Sequence, residues 1–162
     1  MILRTVLALG VLGAAVSGCA EVRPYEGPEV TRVVVMKSQR RMYLMHHDQV
    51  LSAHRTALGF APEGTKRVEG DGHTPEGRFR VDRRNPESRY HLSLGLNYPR
   101  PEDVERARAE GVEPGGNIFI HGTPRQFRAT EDWTAGCVAV PNREMERIYA
   151  MVTEGTPVDI FP

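Results

Sequence analysis

Along most of the chain apolar residues recur at every second position, and only near the C-terminus does the period lengthen to that of a helix. Residues 31–36 (TRVVVM) form a β-branched run, and Arg41–His46 (RMYLMH) alternates apolar with polar. Asp48 and Gln49 supply a turn and residues 50–58 (VLSAHRTAL) extend again, so the three runs predict a meander. Residues 59–72 are polar and glycine-rich and predict a loop. Alternation resumes over residues 76–82 (EGRFRVD), with Phe79 and Val81 on one face. Residues 83–116 read as polar connecting chain rich in proline and glycine. They carry one short helix that starts at Pro101, has Val104 and Ala107 as its apolar stripe, and stops at Gly111. Short buried strands are expected at residues 117–121 (NIFIH) and 136–140 (GCVAV). Asn142 is placed to cap a helix whose Met145, Ile148, Tyr149 and Val152 follow an i, i+3, i+4, i+7 stripe. Gly155 ends it, and Pro157–Phe161 predicts a closing strand. The pattern is that of a mainly β domain with a short C-terminal helix.

Length and charge narrow the class. A chain of 162 residues supports one domain. Its 21 basic and 21 acidic residues leave no net field for a nucleic-acid backbone, so no nucleic-acid partner is expected. Only Lys37 and Lys66 among the basic residues are lysine, which reads as coding bias because no pattern in the sequence demands it.

The first residues read as an address. Arg4 precedes an apolar run too short to span a bilayer, and the run ends in Val16-Ser17-Gly18-Cys19. That ending resembles the lipobox of bacterial lipoproteins, which implies a signal peptide over residues 1–18 and a diacylglycerol anchor on Cys19. An ordinary secretory signal with an incidental Cys19 is the alternative. Residues 19–29 then form a tether and residues 30–162 the domain. Position 20 is Ala where the resemblance associates Asp with inner-membrane retention, so a periplasmic protein anchored at the outer membrane is expected. With Cys19 acylated, Cys137 is a lone thiol in an oxidising compartment, and a chemical role is the simplest reason to keep it.

His121 and Cys137 stand sixteen positions apart, each where a predicted strand meets a loop. An imidazole that takes a thiol proton makes a nucleophile, and Gly136 lets backbone N–H groups of the turn approach a substrate as an oxyanion hole. Spacing alone leaves equally open a buried structural Cys and an unrelated core His. The remaining histidines (46, 47, 54, 73 and 91) have no metal-ligand spacing, so no metal or other cofactor is expected. The GDGH run at residues 70–73 lacks the ligand spacing of a calcium loop. Arg78 can meet a substrate carboxylate or sit in a surface pair. Trp133 can line a cleft or pack beneath the Cys loop, and Thr134 can hold that loop through its hydroxyl.

Four segments carry a resemblance: GDGHTPEGRFRV at residues 70–81, NPESRYHLSLGLNYP at 85–99, PGGNIFIHGTP at 114–124 and DWTAGCVAVPNREMERIY at 132–149. They resemble the L,D-transpeptidase catalytic domains of bacterial cell-wall enzymes, the YkuD-like domains. The resemblance implies a β-sandwich with the nucleophile, here Cys137, on a loop facing a cleft. It implies His121 as general base, oriented by the carbonyl of Gly122. It further implies attack on a peptidoglycan stem tetrapeptide, loss of D-alanine, a thioester, and transfer to an amine on another stem or on a wall-linked protein. Where the family segment usually reads Ser/Thr-His-Gly-Cys, this chain has Ala135, and Ala139 replaces a frequent Arg or Asn, which leaves the acceptor open. A wall hydrolase that passes the same acyl-enzyme to water is the first alternative. A non-catalytic wall-binding lipoprotein is the alternative of another class.

Overall fold

The computed structural model describes residues 22–162, so the leader and Cys19 lie outside the described residues. Residues 23–29 are exposed and Val30 is buried. The expected meander forms from β1 (Arg32–Met36), β2 (Arg41–His46) and β3 (Gln49–Arg55), all paired antiparallel. The turn falls at His47 and Asp48, with His47 at φ 50°, one residue earlier than the pattern suggests.

The chain continues through β4 (Gly77–Ser88), β5 (His91–Leu96), α1 (Pro101–Glu110), β6 (Phe119–Gly122), β7 (Val138–Val140), α2 (Asn142–Met151) and β8 (Pro157–Phe161). Strand order is β3-β2-β1-β8-β4-β5-β6-β7. The long β4 divides this sheet. Its first residues, Gly77 to Arg80, pair with β8, whereas from Val81 onward it pairs with β5 across a bulge. Inward residues of both halves join one core: Val33, Val35, Met42, Leu44 and Ile160 from the first, Leu92, Leu94, Ile120, Val138 and Val140 from the second. α2 packs on β5 and β6 and adds Met145, Ile148 and Tyr149. Truncating any one of these fully buried aliphatic side chains to Ala costs about 2–5 kcal/mol.

The expectation for residues 83–116 is corrected here. β4 runs on to Ser88 through polar residues, because its outer end overhangs the core and is mostly exposed. The HLSLGL run is β5, a strand buried on both faces. α1 forms where expected and ends at Gly111 in the left-handed region at φ 69°. Its buried stripe is not Val104, which is 45% exposed. Asp103 is buried instead, bonded by the guanidinium groups of Arg100 and Arg106 at 2.9 Å each. Asn142 is the first residue of α2 and makes no cap; Pro141 occupies the cap position.

Candidate active site

Cys137 stands one residue before β7, and His121 is the third residue of β6. These strands pair in parallel, Ile120 with Val138 and His121 with Ala139. The half-buried Cys137 Sγ rests against the backbone two to four residues before His121. It donates to the Asn117 carbonyl at 3.5 Å, and the Phe119 N–H is its second backbone partner. No thiol–imidazole hydrogen bond forms among the described residues.

The turn that presents Cys137 is held by one hydroxyl. Thr134 Oγ1 donates to the Cys137 carbonyl at 2.8 Å and accepts from the Gly136 N–H at 3.1 Å. The hydroxyl expected to hold the loop thus bonds at both ends of the turn, and it removes the Gly136 N–H from any oxyanion hole. Gly136 itself sits at φ 124°, and a Cβ there would come within 2.6 Å of the His73 carbonyl. Glycine is therefore required by neighbouring backbone, not only by approach of a substrate.

His121 is 2% exposed. Its Nδ1 donates to the Gly122 carbonyl at 2.8 Å, the orientation that the resemblance implies, which leaves Nε2 for proton exchange. Tyr90 stacks on the imidazole with centroids 4.5 Å apart, and Trp133 meets it edge-on at 5.7 Å. Burial pushes the imidazole below its ordinary value, with the Gly122 carbonyl opposing in part. Burial likewise pushes the Cys137 thiol up, against the Phe119 N–H and the Lys66 charge. Both shifts favour neutral thiol and neutral imidazole at rest over an ion pair.

The polar loop behind the Cys137 turn explains the two lysines. Lys37 and Lys66 are 2% and 3% exposed, so their positions have a physical cause and not merely a coding one. The Lys37 ammonium donates to the carbonyls of Gly64 and Thr74 and to Glu76 Oε1 at 2.7 Å. Lys66 Nζ donates to the Val68 carbonyl and to Asp71 Oδ1, both at 3.0 Å. Asp71 also accepts from the amides of Arg67, Val68 and His73 at 2.7, 2.9 and 3.1 Å. Burial alone would raise its pKa, but these bonds outweigh it and hold the carboxyl at about 2. The loop thus presents the His73 carbonyl to Gly136 as a fixed wall. Sequence reasoning missed Lys66, Asp71, Tyr90 and Asn117; burial of a scarce residue type was the signal available for the first.

Comparison with known proteins decides the family. The model of the YkuD family, the L,D-transpeptidase catalytic domain, matches residues 30–160. The chain belongs to this family. It is 30% identical over 107 residues to the candidate L,D-transpeptidase YafK of Escherichia coli (strain K12), covering 65% of this chain and 38% of that protein. Among solved structures it resembles the helical cell shape determining protein Pgp2 of Campylobacter jejuni, with 25% identity and TM-score 0.64, over 84% of this chain and 49% of that one. The fold also matches an L,D-transpeptidase from Xylanimonas cellulosilytica DSM 15894 at 17% identity and TM-score 0.55, over 85% and 63% of the two chains. This chain therefore spans about two-fifths of the curated relative and half of the Campylobacter chain.

Other predicted residues of this L,D-transpeptidase domain fall as follows. Arg78 lies where β4 meets β8, and its Nε donates to Asp159 Oδ1 at 2.8 Å, the surface-pair alternative. The structure does not group it with Cys137 and His121. Trp133 both packs and lines: it stacks on Phe127 at 4.2 Å and forms part of a cleft beside His121. His54 and His91 are paired with Glu144 and Glu146 at 2.7 and 2.8 Å. His46 and His73 bond the carbonyls of Glu29 and Ala61 through Nδ1. Ala135 is exposed on the Cys turn.

Proposed function

We propose that this domain is a cysteine acyltransferase acting on peptidoglycan stem peptides. The observation that carries the reading is the buried imidazole of His121, fixed through Nδ1 by Gly122 and standing on the strand against which Cys137 Sγ rests. Family membership supports the stem peptide as substrate. Because both groups rest neutral, attack and proton transfer are coupled. Sγ leaves the Asn117 carbonyl and forms a bond to the carbonyl carbon before the terminal D-alanine, while its proton passes to His121 Nε2. With the Gly136 N–H taken by Thr134, the developing oxyanion is left to the N–H of Cys137 itself. The C–N bond then breaks and His121 returns the proton to the departing amine, leaving a thioester. An incoming amine reverses the sequence: it loses a proton to His121, bonds to the acyl carbon and expels the Cys137 thiolate, which His121 reprotonates.

The protein is further proposed to work in the periplasm, anchored through Cys19, on the strength of its leader sequence. Incubation with purified disaccharide-tetrapeptides, read by mass spectrometry beside Cys137→Ala, tests the reading. Products joined with loss of D-alanine and dependent on Cys137 are expected. Tripeptide alone would make water the acceptor. An active Cys137→Ala protein would refute the nucleophile.

A further inference from the structure

The half of the sheet that carries His121 has two faces of different character. Leu94, Ile120 and Val138 point into the core. Successive side chains of a strand alternate, so Gly95, Phe119 and His121 stand on the other face. Cys137 meets that face directly, since the Phe119 N–H is a partner of its Sγ. β4 reaches it through a bulge. Val81 pairs with Leu96 in the core, yet Arg83, only two residues on, pairs with Gly95 on the opposite face, because the register slips at Asp82. An unbroken strand would have kept Arg83 on the core side; the bulge re-aims it.

The fold makes room for Arg83 there. A Cβ on residue 95 would come within 2.5 Å of Arg83 Cγ and 2.9 Å of its Cζ, so the side chain lies across bare backbone. The guanidinium continues over the Phe119 ring, 4.6 Å from the centroid. Arg84, on the core side, is held by the carbonyls of Tyr149 and Val152. Arg83 is bound far less: its Nη1 donates to both oxygens of Asp82 at 3.1 Å, in an exposed pair of the kind that contributes little. Its Nε and Nη2, the edge that forks onto a carboxylate, donate to nothing among the described residues.

The chemistry gives this edge a direction. His121 exchanges its proton with the amine that leaves or enters, so that amine lies toward His121. The acyl part retained on sulfur then runs the other way, along Phe119 toward Arg83. We propose that Arg83 binds a carboxylate on the side chain of the third stem residue, the one whose carbonyl Cys137 attacks, and so selects donors that carry it. The inference rests on the acyl-transfer reading and specifies its donor. It gives Arg83 the carboxylate-binding role that the sequence offered to Arg78.

Calorimetric titration of the Cys137→Ala protein separates binding from turnover. One probe is the tetrapeptide L-Ala-γ-D-Glu-meso-diaminopimelate-D-Ala. The other has L-Lys as its third residue, which keeps the side-chain amine and lacks only the carboxylate. The diaminopimelate peptide is expected to bind about tenfold more tightly, the scale of one bidentate charge-assisted contact. Arg83→Gln should level the two affinities, and Gly95→Ala, which displaces the guanidinium without removing it, should do the same. A merely structural role would weaken both peptides alike and keep the ratio. Should Arg83→Gln misfold, Arg83→Lys, which keeps the charge and loses the fork, should still narrow the ratio. Equal binding of the two peptides by the Cys137→Ala protein, no binding of either, or a ratio unchanged in the variants would overturn the proposal. No turnover is involved, so failure of the acyl-transfer reading shows separately, as absence of Cys137-dependent product with the selectivity intact.

Discussion

Asp71→Asn tests whether the wall behind the Cys137 turn is held electrostatically. The carboxyl sits at about 2 against an ordinary 3.8, because three backbone amides and the Lys66 ammonium overcome its desolvation. At about 1.4 kcal/mol per tenfold in proton affinity, the ionised group contributes about 2 kcal/mol at neutral pH. The side chain is only 10% exposed, so solvent screening removes little of it. A lowered carboxyl stabilises above its ordinary value and loses that contribution as pH falls through 3.8 toward 2. Urea denaturation of the two proteins should therefore differ by about 2 kcal/mol at pH 7, and the gap should close as pH falls into that window. Turnover should fall too, since the carbonyl of His73 that supports Gly136 follows directly on the amide held by Asp71. A gap of equal size at neutral and acid pH would refute the electrostatic account, because the loss would then be one of packing alone.

Three other perturbations probe the same turn. Thr134→Val removes two bonds of one hydroxyl and should cost about 1–3 kcal/mol with most of the activity, while Thr134→Ser restores both; thermal melts and turnover check this. Gly136→Ala forces a Cβ against the His73 carbonyl at a left-handed φ and should destabilise by about 2–4 kcal/mol in urea. Alkylation of Cys137 by iodoacetamide should climb only above the ordinary thiol value of 9.0, and a plateau near neutral pH would contradict the neutral resting pair. Stability linked to His121 is present above 6.5 and lost as pH falls below it, whereas that linked to Cys137 is present below 9.0 and lost as pH rises, so unfolding free energy read across pH should be highest between them.

The first strands of the meander and the α2 stripe were legible because each buries one face and so repeats with a clean period, and β8, buried through its middle, was legible from the Gly155 and Pro157 that bound it. β5 was not, since a strand buried on both faces keeps Ser93 and Gly95 for close sheet packing and looks like polar loop. The outer end of β4 hid for the opposite reason: it is strand by hydrogen bonding but has little core to face. His121, Cys137, Thr134 and Gly122 could be located because chemistry fixes their type and the family motif their spacing. Tyr90 and Asp71 could not, because nothing local shows that a turn tyrosine will stack on an imidazole from another strand, or that a loop aspartate will gather four donors.

These supports are what the proposed acyl transfer by a neutral pair would draw on. Burial works against charging either group, so the proposed reactivity rests on placement more than on a preformed thiolate. The fold supplies placement from three directions: the Asp71 loop behind Gly136, the Thr134 hydroxyl within the turn, and the Tyr90 and Trp133 rings that confine the imidazole. In such a site the thiol gains little by losing its proton before a carbonyl arrives, and the proton can move to Nε2 as the S–C bond forms. The same burial shields the Cys137 thiol from oxidation, since the oxidisable species is the thiolate and burial disfavours it.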